Sequence, residues 1–233
     1  MTFPDGTHAL DHISFSVERG EFVTVVGPSG CGKSTLLRIA SGLETNTGGD
    51  CRVDKDSIGY VFQDATLFPW RSVRKNVELL AELHGRDLQE LGPRIDEALQ
   101  LVHLDEHEDK YPKQLSGGMK MRASLARSLV LEPNVFLFDE PFGALDEITR
   151  ERLNDELLSL FRTKQFAGLF ITHSIAEAVF LSTRVLVMSA RPGRIVADYE
   201  VPFEYPRNHD IRYLPEFAEL SGKISHDLRG AHE

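Results

Sequence analysis

The nonapeptide GPSGCGKST, Gly27 to Thr35, follows an apolar run and precedes the amphipathic stretch LLRIASGL, so a GxxxxGK[ST] pattern sits between a strand and a helix. Gly27, Gly30 and Gly32 let the backbone curl without Cβ clashes, and successive N–H groups then point inward as an anion nest at a helix N-terminus. Lys33 adds a point charge for the β and γ phosphates of a nucleotide, and Ser34 adds a hydroxyl for Mg²⁺. Cys31 stands at an unconstrained position of the motif and reads as a spacer rather than a reactive thiol. In VFLFDE, Val135 to Glu140, four apolar residues deliver two carboxylates to a strand end. Asp139 is suited to holding Mg²⁺ through water, while Glu140, one residue on, points differently and can polarise an attacking water. A structural DE pair is the alternative, and the phosphate loop in the same chain argues against it. His173 ends the run GLFIT, where an isolated histidine is as often a satisfied core residue as a phosphate contact. Ser174 and Glu177 complete an S-x-x-E capping box, which fixes the turn and with it the direction of the imidazole.

LSGGMKMRASLARSL, residues 115–129, places Ser116, Gly117 and Gly118 at the head of a helix. An ordinary N-cap is the plain reading. Two first-turn glycines, however, cost about 1 kcal/mol each in helix propensity, so bare N–H groups and a second anion site are the sharper one. A complete phosphate cradle and a distant, incomplete phosphate contact in one chain suggest two copies meeting head to tail, each completing the other's nucleotide site.

The elements that must position these groups show in the hydropathy pattern. Short apolar runs, Phe22 to Val26, Val135 to Phe138, Leu169 to Thr172 and Val185 to Met188, alternate with helix-period stretches. That rhythm belongs to buried parallel strands with crossover helices, and ligands then sit beyond the strands' carboxyl ends. Between Asp64 and about Ala126 the texture becomes helical: Val73, Val77 and Leu80 make one stripe, and Leu88, Leu91, Ile95, Ala98 and Val102 another. From Val201 the chain reads as an irregular appendage with Pro202, Pro206 and Pro215, followed by one helix from Phe217 to Leu228.

The 233 residues, 41% hydrophobic and 27% charged, suffice for one compact unit or two packed subdomains. A net charge of −10 excludes a basic nucleic-acid binder and disfavours direct adhesion to anionic lipid. Cys31 and Cys51 make neither a disulfide framework nor a metal cluster. No apolar run reaches the roughly 18 to 20 residues that span a bilayer. The polar start MTFPDGTHALDH has no secretory core, so the expected location is the cytoplasm, with any membrane role passing through a protein partner.

In order, GPSGCGKST, Gln63 in YVFQD, LSGGM, FLFDE, GALD (Gly143 to Asp146) and His173 resemble the motif set of ATP-binding cassette (ABC) ATPases over nearly the whole chain. YVFQDATLFPW, LSGGM, DEPFGALD, SARPGRI and the tail from PFEYPRN to PEF are similar to the nitrate/sulfonate/taurine importer group. The resemblance implies an α/β fold: a RecA-like P-loop NTPase core with a mostly parallel sheet plus an inserted α-helical subdomain. Core segments are expected over 1–63 and 127–200, the helical subdomain over 64–126 and an appendage over 201–233. By the same resemblance, Gly27, Pro28, Ser29, Gly30, Cys31, Gly32, Lys33, Ser34 and Thr35 bind ATP, and Ser34, Gln63 and Asp139 serve Mg²⁺. Gln63 also senses the γ-phosphate, Glu140 is the catalytic base and His173 the switch histidine. Ser116, Gly117 and Gly118 then bind the partner's ATP, Asp146 belongs to a loop that communicates across the dimer, and Phe3 is the candidate for stacking on adenine.

The implied partners are a second cassette, two integral membrane permease subunits and, indirectly, an extracytoplasmic solute-binding protein, with no nucleic acid. The implied place is the cytoplasmic face of the inner membrane. Family transporters set the segment after the glutamine, here Leu67, Phe68, Pro69 and Trp70, against a helix of the membrane subunits, although Trp70 fits a core position equally well. The chain departs from the family at Met119, where glutamine is commonest, in a short N-terminus, and in the shortened hairpin GGDCRVDKDSIGYVF. Rival functions are an ABC-fold ATPase without transport, a kinase-like phosphotransferase and a regulatory nucleotide binder. The missing heptad arm and basic face resist the first, LSGG and His173 the second, and Glu140 with His173 the third.

Overall fold

The computed structural model describes residues 1–231. Six strands form one sheet in the order β2-β3-β4-β1-β5-β6. They are β1 (Phe22–Val26), β2 (Ile58–Val61), β3 (Val135–Asp139), β4 (Ala167–Ile171), β5 (Arg184–Met188) and β6 (Ile195–Glu200). All neighbours are parallel except β6, which runs antiparallel to β5. The four apolar runs of the sequence are thus the four central strands. β2 and β6, half-buried edge strands, lack the continuous apolar signature and were not foreseen as strands. The shortened segment before Gln63 nevertheless closes that edge, because Ile58 to Val61 pair in register with Val135 to Phe138.

Strand parity divides the core chemically. Phe22, Phe136, Phe138, Phe170, Val185 and Val187 face one cluster, while Val23, Val25, Leu137, Leu169, Ile171, Leu186 and Met188 face the other. The aliphatic face is covered by α1 (Lys33–Ser41), through Leu36, Leu37 and Ala40. The aromatic face is covered by α5 (Gly117–Leu129), α6 (Glu147–Lys164), α7 (Ile175–Leu181) and α8 (Pro215–Gly230). There the Phe22 ring meets Phe161 edge-on at 5.3 Å and Phe136 meets Phe166 at 4.4 Å, close to the range where offset aromatic pairs attract.

The helical insert consists of α2 (Val73–Val77), α3 (Leu79–Leu83), α4 (Leu88–Leu101) and α5. The α4 stripe is as expected, with Ile95, Ala98 and Val102 buried and Leu88 and Leu91 packed against them. The first stripe is completed by Ala81 rather than Leu80, since Ala81 lies four residues on from Val77 on the same helical face and Leu80 is only part-buried. α5 runs through position 126 to Leu129, so insert and core share a helix.

The appendage folds back on α7. Buried Arg207 donates to the carbonyls of Val179 (3.2 Å), Phe180 (2.8 Å) and Ser182 (2.9 Å), and Tyr205 donates to Leu181 (2.6 Å). Those are the carbonyls a helix C-terminus leaves without partners, and a cation there also suits the helix dipole. The final helix extends two residues beyond each expected end.

Gly168 pairs with Phe22 across β4 and β1, and a Cβ there would stand 2.8 Å from the Phe22 ring. Gly168→Ala is expected to destabilise the fold by about 1–3 kcal/mol, the usual range for overpacking, read as a lowered melting temperature.

Candidate active site

Beyond Val26 the chain turns through Gly30 (φ 77°) and Gly32 (φ 106°), left-handed conformations that L side chains rarely adopt. Gly32 has a second constraint, since a Cβ would lie 2.6 Å from Leu10 Cδ2. It starts α1 with no capping side chain and no acid in the first turn, so the first amides remain available to an anion. Lys33 is 6% exposed; its Nζ donates to the carbonyls of Gly27 (2.9 Å) and Pro28 (3.0 Å) and lies 4.0 Å from Glu140 Oε1. A buried ammonium resting on its own loop's neutral carbonyls fits a site built for phosphate. Cys31 is buried behind the loop, and desolvation pushes its thiol up, which agrees with a spacer.

β3 and β4 bring the remaining groups to the same sheet end. Asp139 Oδ1 accepts from Ser34 Oγ at 2.9 Å, and Tyr60 on β2 donates to its Oδ2 at 3.4 Å. Burial and Asp139 raise the Tyr60 phenol well above its ordinary value, so it serves as a donor. Tyr60 was missed by sequence reasoning; only the pairing of β2 with β3 would have exposed it. Glu140 has φ 45°, a left-handed conformation that turns it away from Asp139. Its N–H remains tied to Ile171 O at 3.0 Å, and its carboxylate spans from Lys33 to His173, whose Nδ1 lies 3.1 Å from Oε2. His173 is a solvent-facing group, its side chain 57% exposed, and not a core histidine.

Gln63 is exposed beyond the end of β2 and makes no hydrogen bond to Ser34 or Asp139. Phe3 is half-buried and packs on the cluster containing Leu10 and Cys31, beside the phosphate loop. Pro28 is buried, Ser29 is exposed and Thr35 lies in the first turn of α1. Trp70 is 70% exposed and stacks on Phe68 at 5.0 Å, which removes it from the core.

The Ser174–Glu177 capping box is corrected to a relay. Ser174 accepts from Glu177 N at 3.3 Å, but the Glu177 carboxyl accepts from Thr172 Oγ1 instead of reaching back to Ser174. Thr172 Oγ1 in turn accepts from Ser174 N at 3.0 Å.

Ser116, Gly117 and Gly118 make no hydrogen bond to the phosphate loop of their own chain. Ser116 caps α5 by accepting from Met119 N at 3.3 Å, and Asp146 caps α6 by accepting from Thr149 N at 3.0 Å. Hydrogen bonding from Thr149 holds the Asp146 carboxyl below its usual range. The two helix heads touch: a Cβ on Gly117 would lie 3.3 Å from Leu145 Cδ2, and one on Gly118 would lie 2.8 Å from Thr149 Cγ2. Gly118 therefore has a packing reason to be glycine, beyond approachability to an anion. The Arg122–Glu156 ion pair, 2.6 Å and mostly buried, ties the same two helices farther along.

A parallel α/β core whose strand ends gather a phosphate loop, a carboxylate pair and a histidine, with an inserted helical subdomain, defines a P-loop ATPase of the cassette type. Residues 10–143 match the family model described as ABC transporter, and the chain belongs to that family and is an ATP-binding ATPase. It is 43% identical to the aliphatic sulfonates import ATP-binding protein SsuB of Bacillus anthracis, over 92% of this chain and 86% of the relative. It is 44% identical to the nitrate import ATP-binding protein NrtD of Synechocystis sp. (strain ATCC 27184 / PCC 6803 / Kazusa), over 95% and 88% respectively. Among solved structures, cbiO1 from Clostridium perfringens, part of the ABC transporter complex cbiONQ, superposes with a TM-score of 0.80 at 29% identity, covering 95% of each chain. The dimeric ATP-binding cassette MJ0796, in a post-hydrolysis state bound to ADP and Pi, gives a TM-score of 0.73 at 30% identity, over 84% of this chain and 92% of that one.

The contact between helix heads sets up a sign reversal. Gly118→Ala gains about 1 kcal/mol of helix propensity but meets Thr149, a clash of about 1–3 kcal/mol, so its melting temperature should fall. In a Thr149→Ser background, where Cγ2 is gone, the same change should raise the melting temperature.

Proposed function

We propose that the chain is the ATP-hydrolysing subunit of an ABC importer, closing as a head-to-tail dimer around two MgATP and driving uptake of a small solute through permease partners. One observation carries the hydrolytic role: Glu140, turned left-handed at the end of β3, sets its carboxylate between the Lys33 ammonium and the His173 imidazole. Lys33 and the first amides of α1 bind the β and γ phosphates. Glu140 takes the proton of the attacking water at its carboxylate, and His173 orients the terminal phosphate and holds the carboxylate in place. Ser34, Asp139 and Gln63 would hold Mg²⁺, which supplies charge neutralisation across the β and γ phosphates when bound. One carboxylate plus neutral oxygens suits a cation that keeps water and phosphate ligands, and no group of three or more His, Cys, Asp or Glu competes for it among the described residues.

Ser116, Gly117 and Gly118 of one copy meet the γ-phosphate held by the other, with Asp146 beside them, and Phe3 is the aromatic available to the adenine ring. No helix among the described residues is long and apolar enough to cross a membrane. The relatives named as import ATP-binding proteins support attachment through permease subunits on the cytoplasmic face. The exposed Phe68–Trp70 stack is the apolar element offered to them. The relatives named for sulfonate and nitrate import support a small oxyanion-like solute, delivered by an extracytoplasmic binding protein.

Glu140→Gln is expected to lower ATP turnover about 10²- to 10⁴-fold while ATP-dependent dimerisation persists, measured by phosphate release and sedimentation. A parent rate in that variant would remove the base assignment. Lys33→Ala should weaken MgATP binding in isothermal titration. Trp70→Ala should keep the chain's own ATPase and lose co-purification with the membrane subunits.

A further inference from the structure

The imidazole of His173 is largely exposed, and among the described residues its side-chain hydrogen bond runs to Glu140 alone, so the backbone on either side must set its direction. Both neighbours in the chain are tied to a single buried group. Thr172, 2% exposed, donates its hydroxyl to Glu177 Oε2, and the same hydroxyl accepts from Ser174 N at 3.0 Å. Ser174 Oγ then accepts from Glu177 N at 3.3 Å. The Thr172 hydroxyl before His173 and the Ser174 amide and hydroxyl after it therefore close one ring of hydrogen bonds through the Glu177 side chain and amide.

Glu177 is itself anchored. It is 4% exposed, lies beside Asn154 of α6, and comes under the influence of Arg150, which donates to Leu145 O at 2.8 Å in the loop that follows Glu140. Glu177 Oε1 and Asn154 Oδ1 are both buried without a partner. Unpaired buried acceptors are costly, and the Asn154 amide is the neighbouring group able to pair with the Glu177 carboxyl. Burial pushes the Glu177 carboxyl up, the direction that favours a neutral acid there. The group thus spans β4, α7 and α6 beneath the histidine.

We propose that Glu177 is a positioning residue for ATP hydrolysis: through the Thr172 hydroxyl it fixes the backbone on both sides of His173 and keeps the imidazole aimed at Glu140. The inference rests on the reading of His173 as the histidine that serves the terminal phosphate.

Four variants test it in the full chain. Thr172→Val and Glu177→Met, which remove the hydroxyl or its acceptor at similar volume, should lower kcat roughly 10- to 100-fold with KM for MgATP near the parent value, and because each leaves a buried partner unpaired the melting temperature should fall as well. Thr172→Ser and Glu177→Gln, which retain the hydrogen-bonding groups, should recover most of that loss. In a His173→Ala background, Thr172→Val should cost nothing further. A loss that multiplies on His173→Ala overturns the proposal and leaves the histidine's role intact, whereas a parent rate in His173→Ala alone removes that role and the proposal with it. A ring-nitrogen NMR readout covers the case in which His173→Ala is too slow to compare. The His173 resonances should shift in Thr172→Val and return in Thr172→Ser; unchanged resonances in Thr172→Val overturn the proposal.

Discussion

Lys33 carries its charge in a nearly closed space where the loop that bends around it supplies two neutral carbonyls and the Cys31 sulfur, and among the described residues the carboxylate in reach is Glu140, 4.0 Å away. A buried cation is tolerated only when hydrogen-bonded and compensated, and here the compensation is incomplete until an anion arrives. Much of the surrounding architecture serves that one group. Gly30 and Gly32 make the left-handed turns that curl the loop, Gly32 also gives way to Leu10, and β1 delivers the loop from the centre of the sheet. Glu140 is turned by its own left-handed backbone toward the same point, with strain typically of order 1–3 kcal/mol that β3 and the Ile171 hydrogen bond must hold in place.

The sheet explains why four distant sequence segments converge. β2, β3, β4 and β1 lie side by side and parallel, so Gln63, Asp139 with Glu140, His173 and the phosphate loop all emerge at one edge. Alternation along β1, β3 and β4 gives one face its phenylalanines while the other face is mostly aliphatic, so the helices on the two sides cannot exchange places without leaving voids or overlaps. The site inherits its rigidity from that packing.

What the sequence revealed followed from local chemistry. The phosphate loop, the strand-terminal DE pair and His173 were legible because few folds require such glycine spacing or apolar runs that end in charge, and the central strands were legible from the same runs. β2 and β6 were hidden because half-buried edge strands lack a continuous apolar pattern, and Tyr60 was hidden because its contact with Asp139 depends on the pairing of two strands separated by the whole helical insert. Glu177 was visible as a helix cap, yet its true partner, Thr172, depends on how tightly the turn closes around the histidine. Trp70 fitted both core and surface in sequence, and only the packing of α2 to α5 left it outside.

The joint between α5 and α6 has a mechanical meaning. Gly117 and Gly118 leave little room for a Cβ beside Leu145 and Thr149, and Arg122 pairs with Glu156, so the helix headed by Ser116 and the helix capped by Asp146 form a close-packed bracket. The loop leading into that bracket begins at Glu140 itself, with Gly143 N donating to Glu140 O at 3.1 Å. On the proposed head-to-tail pairing, a bracket that leaned toward the neighbour's nucleotide would pull on Glu140 beside its own, and the two reaction centres would not keep independent time.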